Sequence, residues 1–182
     1  MGTSVVTELL ARRERELLPF EVASFVLMNG SVHIDLAHLT FGQHLLKSPL
    51  ASVFARWSSR RTFSAQMRRI FARPPADAEI DGMWELLVRD DGAARLPALI
   101  RYTTERARHR RRWIGALERV DIPALVAWGR RDPVAVMAIA DALAAEIPGA
   151  KRETWDDLGH YPQVEAPERV VETVTAFWDA VP

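Results

Sequence analysis

The first 30 residues carry a helix-like and then a strand-like pattern of apolar positions. Apolar side chains recur at near-helical spacing over residues 3–18, with charged residues between them, so this stretch is predicted to be a helix. Pro19 should end the helix, because proline cannot donate the backbone hydrogen bond that a helix requires. Residues 20–28 are rich in apolar and β-branched side chains and close at Asn29-Gly30, which predicts a buried strand.

The pattern changes between residues 33 and 120, where amphipathic helical segments follow one another without a convincing strand. The predicted helices cover residues 45–57, 62–71, 78–89 and 96–117. Three of the six tryptophans lie in this stretch, namely Trp57, Trp84 and Trp113, and we expect the last two to pack in its core. The sequence therefore predicts an all-helical insertion between strands.

Strand-like and helix-like segments alternate again from residue 121 onwards. The predicted elements are a strand over residues 123–128, a helix over 136–147, a strand over 151–155, a loop over 156–166 and a last helix from Pro167. This order predicts parallel strands joined by helical crossovers. We therefore expect an α/β fold with about three parallel strands and flanking helices. Residues 1–32 and 121–182 would form its core, and residues 33–120 a helical cap.

The composition narrows the classes of function. The chain has 182 residues, which suits one domain with an insertion. Basic and acidic residues number 24 each, so no overall field attracts nucleic acid or an anionic membrane. The absence of cysteine excludes a disulfide framework, a thiolate metal site and a cysteine nucleophile. Because no signal peptide and no apolar run of about 18 residues is evident, we expect a soluble cytoplasmic protein.

Two candidate catalytic residues follow neighbouring strands of the predicted sheet. Asp132 lies in a turn just after the second strand, and His160 lies in a loop just after the third. The carboxyl ends of parallel strands meet at one edge of a sheet, where such folds place their sites. Each residue alone is more typical of an ordinary turn or loop. Their order favours the acid and histidine of a nucleophilic triad, which run nucleophile, acid, histidine in such folds.

The segments around both residues resemble the C-terminal part of α/β-hydrolase fold proteins. The matching segments are Ile122-Pro123-Ala124-Leu125-Val126, Gly129-Arg130-Arg131-Asp132-Pro133, Gly159-His160-Tyr161-Pro162-Gln163 and Glu165-Ala166-Pro167-Glu168. Residues 1–30 resemble the helix and strand that follow the nucleophile elbow of this family. Residues 33–120 resemble the helical cap of its epoxide hydrolase and haloalkane dehalogenase branch. The resemblance implies the later half of an α/β hydrolase.

The resemblance also implies that the chain contains no nucleophile. In this branch a strand ends in His-Asp-x-Gly, and Met1-Gly2-Thr3 resembles the residues directly after that aspartate. Ser4 falls in the first helical turn and is predicted to be a capping or packing residue. We therefore expect a truncated hydrolase with little or no activity as written.

The implied reaction depends on which nucleophile is missing. An aspartate would form an ester with an electrophilic carbon, as in epoxide or carbon–halide hydrolysis, and His160 would activate the water that hydrolyses it. A serine would support ester hydrolysis with the same pair. Tyr102 and Tyr161 are candidate substrate contacts. The resemblance implies a small hydrophobic substrate and no metal or organic cofactor.

Other classes of function stay open at this point. The chain could be a non-catalytic binding module or one half of a split hydrolase, with a missing N-terminal half or a second copy as its partner. The basic segment 106–112 is predicted to be a solvated helix face rather than a nucleic-acid contact, which salt-dependent DNA binding would contradict. His33, His38 and His44 do not share one helix face, so no metal site is expected there.

Overall fold

The sheet has the predicted composition and direction. The structure is a computed structural model that describes residues 1–56 and 59–181. Three parallel strands, β1 (Phe25–Met28), β2 (Ala124–Gly129) and β3 (Lys151–Trp155), pair in the order β1-β2-β3. Their register pairs Val26 with Leu125 and Ala127 with Glu153. The prediction of a three-stranded parallel sheet with flanking helices is confirmed.

Helices account for most of the remaining described chain. In chain order they are α1 (Gly2–Arg13), α2 (Phe41–Leu46), α3 (Ala51–Arg56), α4 (Arg60–Ile70), α5 (Asp77–Val88), α6 (Leu96–Leu99), α7 (Tyr102–Glu118), α8 (Met137–Glu146), α9 (Pro162–Glu165) and α10 (Pro167–Asp179). A 3-10 turn over Arg89–Arg95 connects α5 to α6. No described helix is long and apolar enough to cross a membrane.

The central strand β2 separates two apolar layers. All six of its residues are buried, as expected for a strand covered on both faces. Alternate residues, including Val126 and Trp128, pack with α1, α7 and α8 on one face. Leu125 and Ala127 pack with α10 on the other face. The sheet is therefore the middle layer between helices.

Two predicted elements near the N-terminus are shorter than expected. Helix α1 ends at Arg13 instead of residue 18, and Leu17, which was expected on its apolar face, is exposed. Strand β1 begins at Phe25 rather than Phe20, because its partner strand begins only at Ala124. Phe20 is exposed as a result. Both predictions were wrong at these ends because apolar spacing does not show where a tertiary partner stops.

The described residues between β1 and β2 form helices joined by turns and loops, and no strand. The predicted helix over 45–57 is two helices, α2 and α3, and Trp57 lies outside the described residues. The prediction for 96–117 is also split, into α6 and α7. Trp84 packs its ring against Phe63 in the insertion, with centroids 5.6 Å apart. Trp113 is buried in the apolar layer beside the sheet, with residues of α1 and β2, so its expected place in the core of the insertion was wrong. The division into core and cap at residues 32 and 120 stays a prediction.

Candidate active site

Two loops meet at the carboxyl edge of the sheet. The turn after β2 and the loop after β3 are joined by backbone hydrogen bonds, from Arg130 N to Trp155 O at 2.9 Å and from Arg131 N to Leu158 O at 2.9 Å. These bonds follow from the parallel pairing of β2 with β3, which brings both strand ends to the same edge. The loops carry the two candidate catalytic residues.

Asp132 and His160 are in direct contact at this edge. His160 Nδ1 lies 2.6 Å from Asp132 Oδ2, within hydrogen-bond distance. The Asp132 side chain is fully buried, whereas that of His160 is 21% exposed. Because an ionised carboxylate can only accept, Nδ1 carries the shared proton and Nε2 is left as the free basic nitrogen. The predicted contact of the two residues is present.

Backbone and side-chain donors surround the Asp132 carboxylate. Oδ1 accepts hydrogen bonds from the backbone N–H groups of Val134 at 2.7 Å and Ala135 at 2.9 Å. Oδ2 accepts from Asn29 Nδ2 at 2.8 Å in addition to His160. Hydrogen bonds to the charged form compensate for burial of a carboxylate. The carboxylate is thus held in one orientation toward the imidazole.

Asn29 is a positioning residue that the sequence analysis missed. It follows β1, is buried and connects two strand ends: its amide donates to Asp132, and its Oδ1 accepts from Gly129 N at 2.8 Å. Its φ of 41° lies in the left-handed region, which asparagine tolerates better than most residues. The sequence analysis interpreted Asn29-Gly30 only as the end of a strand. A polar residue at the end of a third neighbouring strand was the available signal.

Two glycines allow the close approach of the histidine loop. A Cβ on Gly129 would lie 2.3 Å from Gly159 O, and a Cβ on Gly159 would lie 2.5 Å from Ala72 N. Both neighbours are backbone atoms, which cannot move aside as a flexible side chain can. Glycine at these positions therefore brings the histidine loop against the acid turn on one side and against the end of α4 on the other.

Glu165 holds the histidine loop to the segment that follows α4. Its carboxylate accepts backbone N–H bonds from Gly159, Ala72 and Arg73 at 2.9 to 3.0 Å, and from Tyr161 at 3.3 Å. A further backbone bond runs from His160 N to Ile70 O at 3.0 Å. The sequence analysis assigned Glu165 only to the start of the last helix. It lies in α9, a short helix inside the predicted loop over 156–166.

Of the two candidate substrate contacts, Tyr161 touches the pair directly. The rings of Tyr161 and His160 meet edge to face with centroids 4.8 Å apart. Burial raises the pKa of the Tyr161 phenol, and Tyr102 and Asp132 raise it further. The Tyr102 hydroxyl accepts a hydrogen bond from Gln43 Nε2 at 3.2 Å. Tyr161 therefore borders His160, whereas Tyr102 contacts Gln43.

Ser4 has a partner other than His160. It lies within α1, whose N-cap is Met1, so the capping role is wrong. Its hydroxyl accepts a hydrogen bond from Arg106 Nε at 3.0 Å, which makes it a packing residue between α1 and α7. Among the residues that the structure describes, the His160 side chain hydrogen-bonds to Asp132 alone.

The basic segment 106–112 is not one solvated face. Arg106 is buried, Arg110 pairs with Asp35, and Arg112 pairs with Glu8 on α1. The prediction of a solvated face was wrong for Arg106 and Arg112, because α7 packs against α1 on their side. Arg108, Arg110 and Arg111 are exposed, as predicted. In the described ranges, no group of three or more histidine and acidic side chains is arranged to hold a metal ion.

A comparison with known protein families identifies the family of this chain. The family model described as the alpha/beta hydrolase family matches residues 1–173. The chain belongs to the α/β-hydrolase family.

Two curated relatives show what share of a longer protein this chain spans. A protein of Mycobacterium tuberculosis named "Putative hydrolase LipZ" is 44% identical over 179 residues, which cover 97% of this chain and 62% of the relative. The human mesoderm-specific transcript homolog protein is 30% identical and is covered to 55%. The chain therefore spans between about half and two thirds of these curated relatives.

The fold comparison extends to a crystal structure of a serine hydrolase from Cycloclasticus zankles. The two superpose with a TM-score of 0.73 at 20% identity, over 98% of this chain and 61% of the other. Likeness at this level of identity concerns the fold alone. It agrees with the α/β-hydrolase architecture of this chain.

Proposed function

We propose that Asp132 and His160 are the acid and the general base of a nucleophile–acid–histidine hydrolase, and that residues outside this 182-residue sequence supply the nucleophile. The observation that carries the proposal is the 2.6 Å contact between His160 Nδ1 and a fully buried Asp132 carboxylate. Membership of the α/β-hydrolase family and the likeness to LipZ support a hydrolytic reaction.

Asp132 and His160 together can transfer a proton during the reaction. Because Asp132 accepts the Nδ1 proton, His160 Nε2 can remove a proton from a nucleophile or from water. The imidazolium formed in that step is stabilised by the buried carboxylate. Asn29 and the Val134 and Ala135 N–H groups keep this carboxylate oriented throughout.

The nucleophile decides the reaction subtype. With aspartate, attack on carbon breaks the C–O bond of an epoxide, whose oxygen takes up a proton, or expels halide from a haloalkane, and an ester forms. His160 then removes a proton from water, which attacks the carbonyl carbon of this ester and releases the alcohol product and the aspartate. With serine, attack on a substrate ester expels its alcohol and forms an acyl-enzyme, from which water releases the acid in the same way. We place the chain with the epoxide hydrolase and haloalkane dehalogenase branch, on its helical segment between β1 and β2.

The test supplies the proposed nucleophile from a relative. A chimera joins the portion of LipZ that precedes the aligned region to residues 1–182 of this chain, which 44% identity makes structurally compatible. It is assayed with aryl esters, epoxides and haloalkanes beside the 182-residue chain alone. We expect turnover by the chimera, and a decrease of about 10³-fold or more in its His160→Gln and Asp132→Asn variants.

The control is His109→Gln, which removes a part-buried histidine that pairs with Glu105 on α7. This variant should keep its turnover within a few fold. Equal turnover by the chimera and its His160→Gln variant, or turnover of the 182-residue chain itself, would contradict the proposal. Activity that returns when the LipZ segment is added as a separate polypeptide would identify a split hydrolase.

A further inference from the structure

Arg106 is buried without a carboxylate partner. It is only 6% exposed, although arginine is almost never buried unless an acidic group pairs with it. Its Nε donates to the Ser4 hydroxyl at 3.0 Å. Its guanidinium carbon, Cζ, lies 4.5 Å from the centroid of the Tyr102 ring. Neither partner carries a negative charge. Burial lowers the pKa of Arg106, which Tyr102 partly offsets, but an arginine stays protonated at neutral pH.

The two Nη groups of Arg106 are available to a ligand. No described residue accepts a hydrogen bond from either of them, and the described structure contains no fully enclosed side-chain nitrogen without a partner. The Nη groups must therefore keep access to open space. Arg110 and Arg112 of the same helix differ, since each of them pairs with a carboxylate.

Arg106 lies one turn after Tyr102 on α7, and Tyr102 is a candidate substrate contact. The guanidinium contacts the Tyr102 ring. Tyr102 raises the pKa of the Tyr161 phenol, and the Tyr161 ring contacts the His160 ring. Ser4, in the first turn of α1, holds Arg106 by a hydrogen bond. That turn contains no acidic residue that could pair with the guanidinium.

We propose that Arg106 binds a carboxylate of the substrate, so that the hydrolase acts on small acids with an apolar body. The free edge of a guanidinium offers two parallel N–H donors, which match the two oxygens of a carboxylate. The Ser4 hydrogen bond and the Tyr102 ring hold the guanidinium in one plane, so little side-chain freedom is lost on binding. The assignment of this acid as substrate rests on the proposed hydrolase function.

Binding is tested first on the 182-residue chain, independently of turnover. Benzoate and its neutral isostere benzamide are titrated while NMR follows the Arg106 Nε–H and the backbone amides of Ser4 and Tyr102. We expect benzoate to bind at least about tenfold more tightly, because charge-assisted hydrogen bonds contribute about 1.5–3 kcal/mol. The Arg106→Gln variant should lose this preference and Arg106→Lys should keep part of it.

The matched control is Arg108→Gln, which removes the same charge from an exposed position on α7. It should preserve the preference for benzoate. Equal affinity for the two probes, no binding of either, or an unchanged preference in a folded Arg106→Gln variant would overturn the proposal. Benzoate binding to the 182-residue chain but not to the LipZ chimera would show that a protein carboxylate fills the site, and would also overturn it.

The second arm measures catalysis by the LipZ chimera. The 4-nitrophenyl monoester of glutaric acid is compared with 4-nitrophenyl valerate, which lacks the second carboxylate. Arg106→Gln should lower kcat/KM for the acidic ester about 10- to 100-fold and for the neutral ester by less than about threefold. An equal decrease for both esters would refute the specificity role. If neither ester is hydrolysed, the proposed function fails, while the benzoate titration still decides the binding role.

Discussion

At the scale of single residues, the candidate site depends on how a buried charge is satisfied. The Asp132 carboxylate has no exposed surface, so each of its oxygens must accept hydrogen bonds in place of water. Two backbone N–H groups, the Asn29 amide and the His160 ring supply them. Asn29 is the donor that can be removed without changing either the backbone or the proposed base His160, which makes it the residue to test.

We predict that Asn29→Ala lowers the free energy of unfolding by about 2 kcal/mol. The variant leaves Gly129 N without its acceptor and Asp132 with one donor fewer. Urea denaturation measures the loss, and the ¹H NMR signal of His160 Nδ1–H reports the geometry of its bond to Asp132. This signal should shift or broaden in the variant.

The control for Asn29→Ala is Ser31→Ala, in the same loop. Ser31 is also buried, but its hydroxyl donates to His33 O and does not contact Asp132. It should leave the His160 signal unchanged. A shift of equal size in both variants would mean that the signal reports general loosening of the loop rather than the orientation of Asp132.

At the scale of helices and strands, the ends of elements follow local backbone geometry. Helix α1 ends in a Schellman motif, in which Leu17 N donates to Arg12 O and Glu16 N donates to Arg13 O. The motif requires a left-handed residue, and Glu16 adopts φ of 56°. Glycine is the usual residue there, so a glutamate stores strain at this position.

We predict that Glu16→Gly stabilises the protein by about 1 kcal/mol, because glycine adopts positive φ without a Cβ clash. Thermal and urea denaturation would show the gain. Glu16→Ala is the matched control, since it removes the same charge but keeps the Cβ. A gain of similar size in both variants would attribute the effect to charge rather than to backbone strain.

Helices α1 and α7 are joined by Glu8. Its carboxylate accepts hydrogen bonds from Arg12, Arg112 and Trp113 Nε1. Burial alone would raise the pKa of Glu8, but the bonds to Arg12 and Trp113 and the charge of Arg112 outweigh it and lower the pKa from 4.5 to about 2. The folded chain therefore favours ionised Glu8 more than the unfolded chain does.

We predict that Glu8 adds stability above pH 4.5 and that this contribution is lost as the pH falls toward 2. Glu8→Gln should lower the free energy of unfolding by about 1 kcal/mol at pH 7, a modest value because the carboxylate is partly exposed. The difference from the parent chain should shrink steadily between pH 5 and pH 3 in urea titrations. Glu172→Gln, at an exposed position of α10, serves as control and should show no such trend. A pH-independent difference for Glu8→Gln would contradict the assignment.

At the scale of the whole molecule, the sheet has two outer strands in the described chain. Strand β1 pairs on one side with β2, and no described strand pairs with its other side. A hollow of about 540 Å³ beside it is lined by apolar side chains, among them Phe20, Val26 and the half-exposed Trp178. Unpaired strand edges and exposed apolar patches both favour association.

We predict that the 182-residue chain self-associates through this surface at rising concentration. Trp178→Ser should reduce the association seen in sedimentation velocity, because it removes a large apolar side chain beside β1. Leu86→Ser is the matched control, as Leu86 is equally exposed on α5 and lies away from the hollow. A monomeric parent chain, or an equal reduction by both variants, would contradict the prediction.

Apolar periodicity and turn residues were enough to determine the three parallel strands and the helical stretch between β1 and β2. They also determined the turn that contains Asp132 and the loop that contains His160. These features depend on local spacing: parallel strands bring their carboxyl ends to one edge, so a polar residue after each strand must lie near the next. The positions of Asp132 and His160 could therefore be predicted without coordinates.

Only the tertiary structure decided which other residues complete the site. Glu165 and Arg106 each contact a partner that lies more than 90 positions away along the chain, and no spacing in the sequence reports such contacts. The place of Asn29 after β1 was a signal, but only the structure showed that its amide bonds to Asp132 and Gly129. The same holds for the ends of α1 and β1, which stop where their packing partners stop. Local pattern specifies the type of an element, whereas burial and hydrogen-bond satisfaction, which depend on the assembled chain, specify its limits and its chemistry.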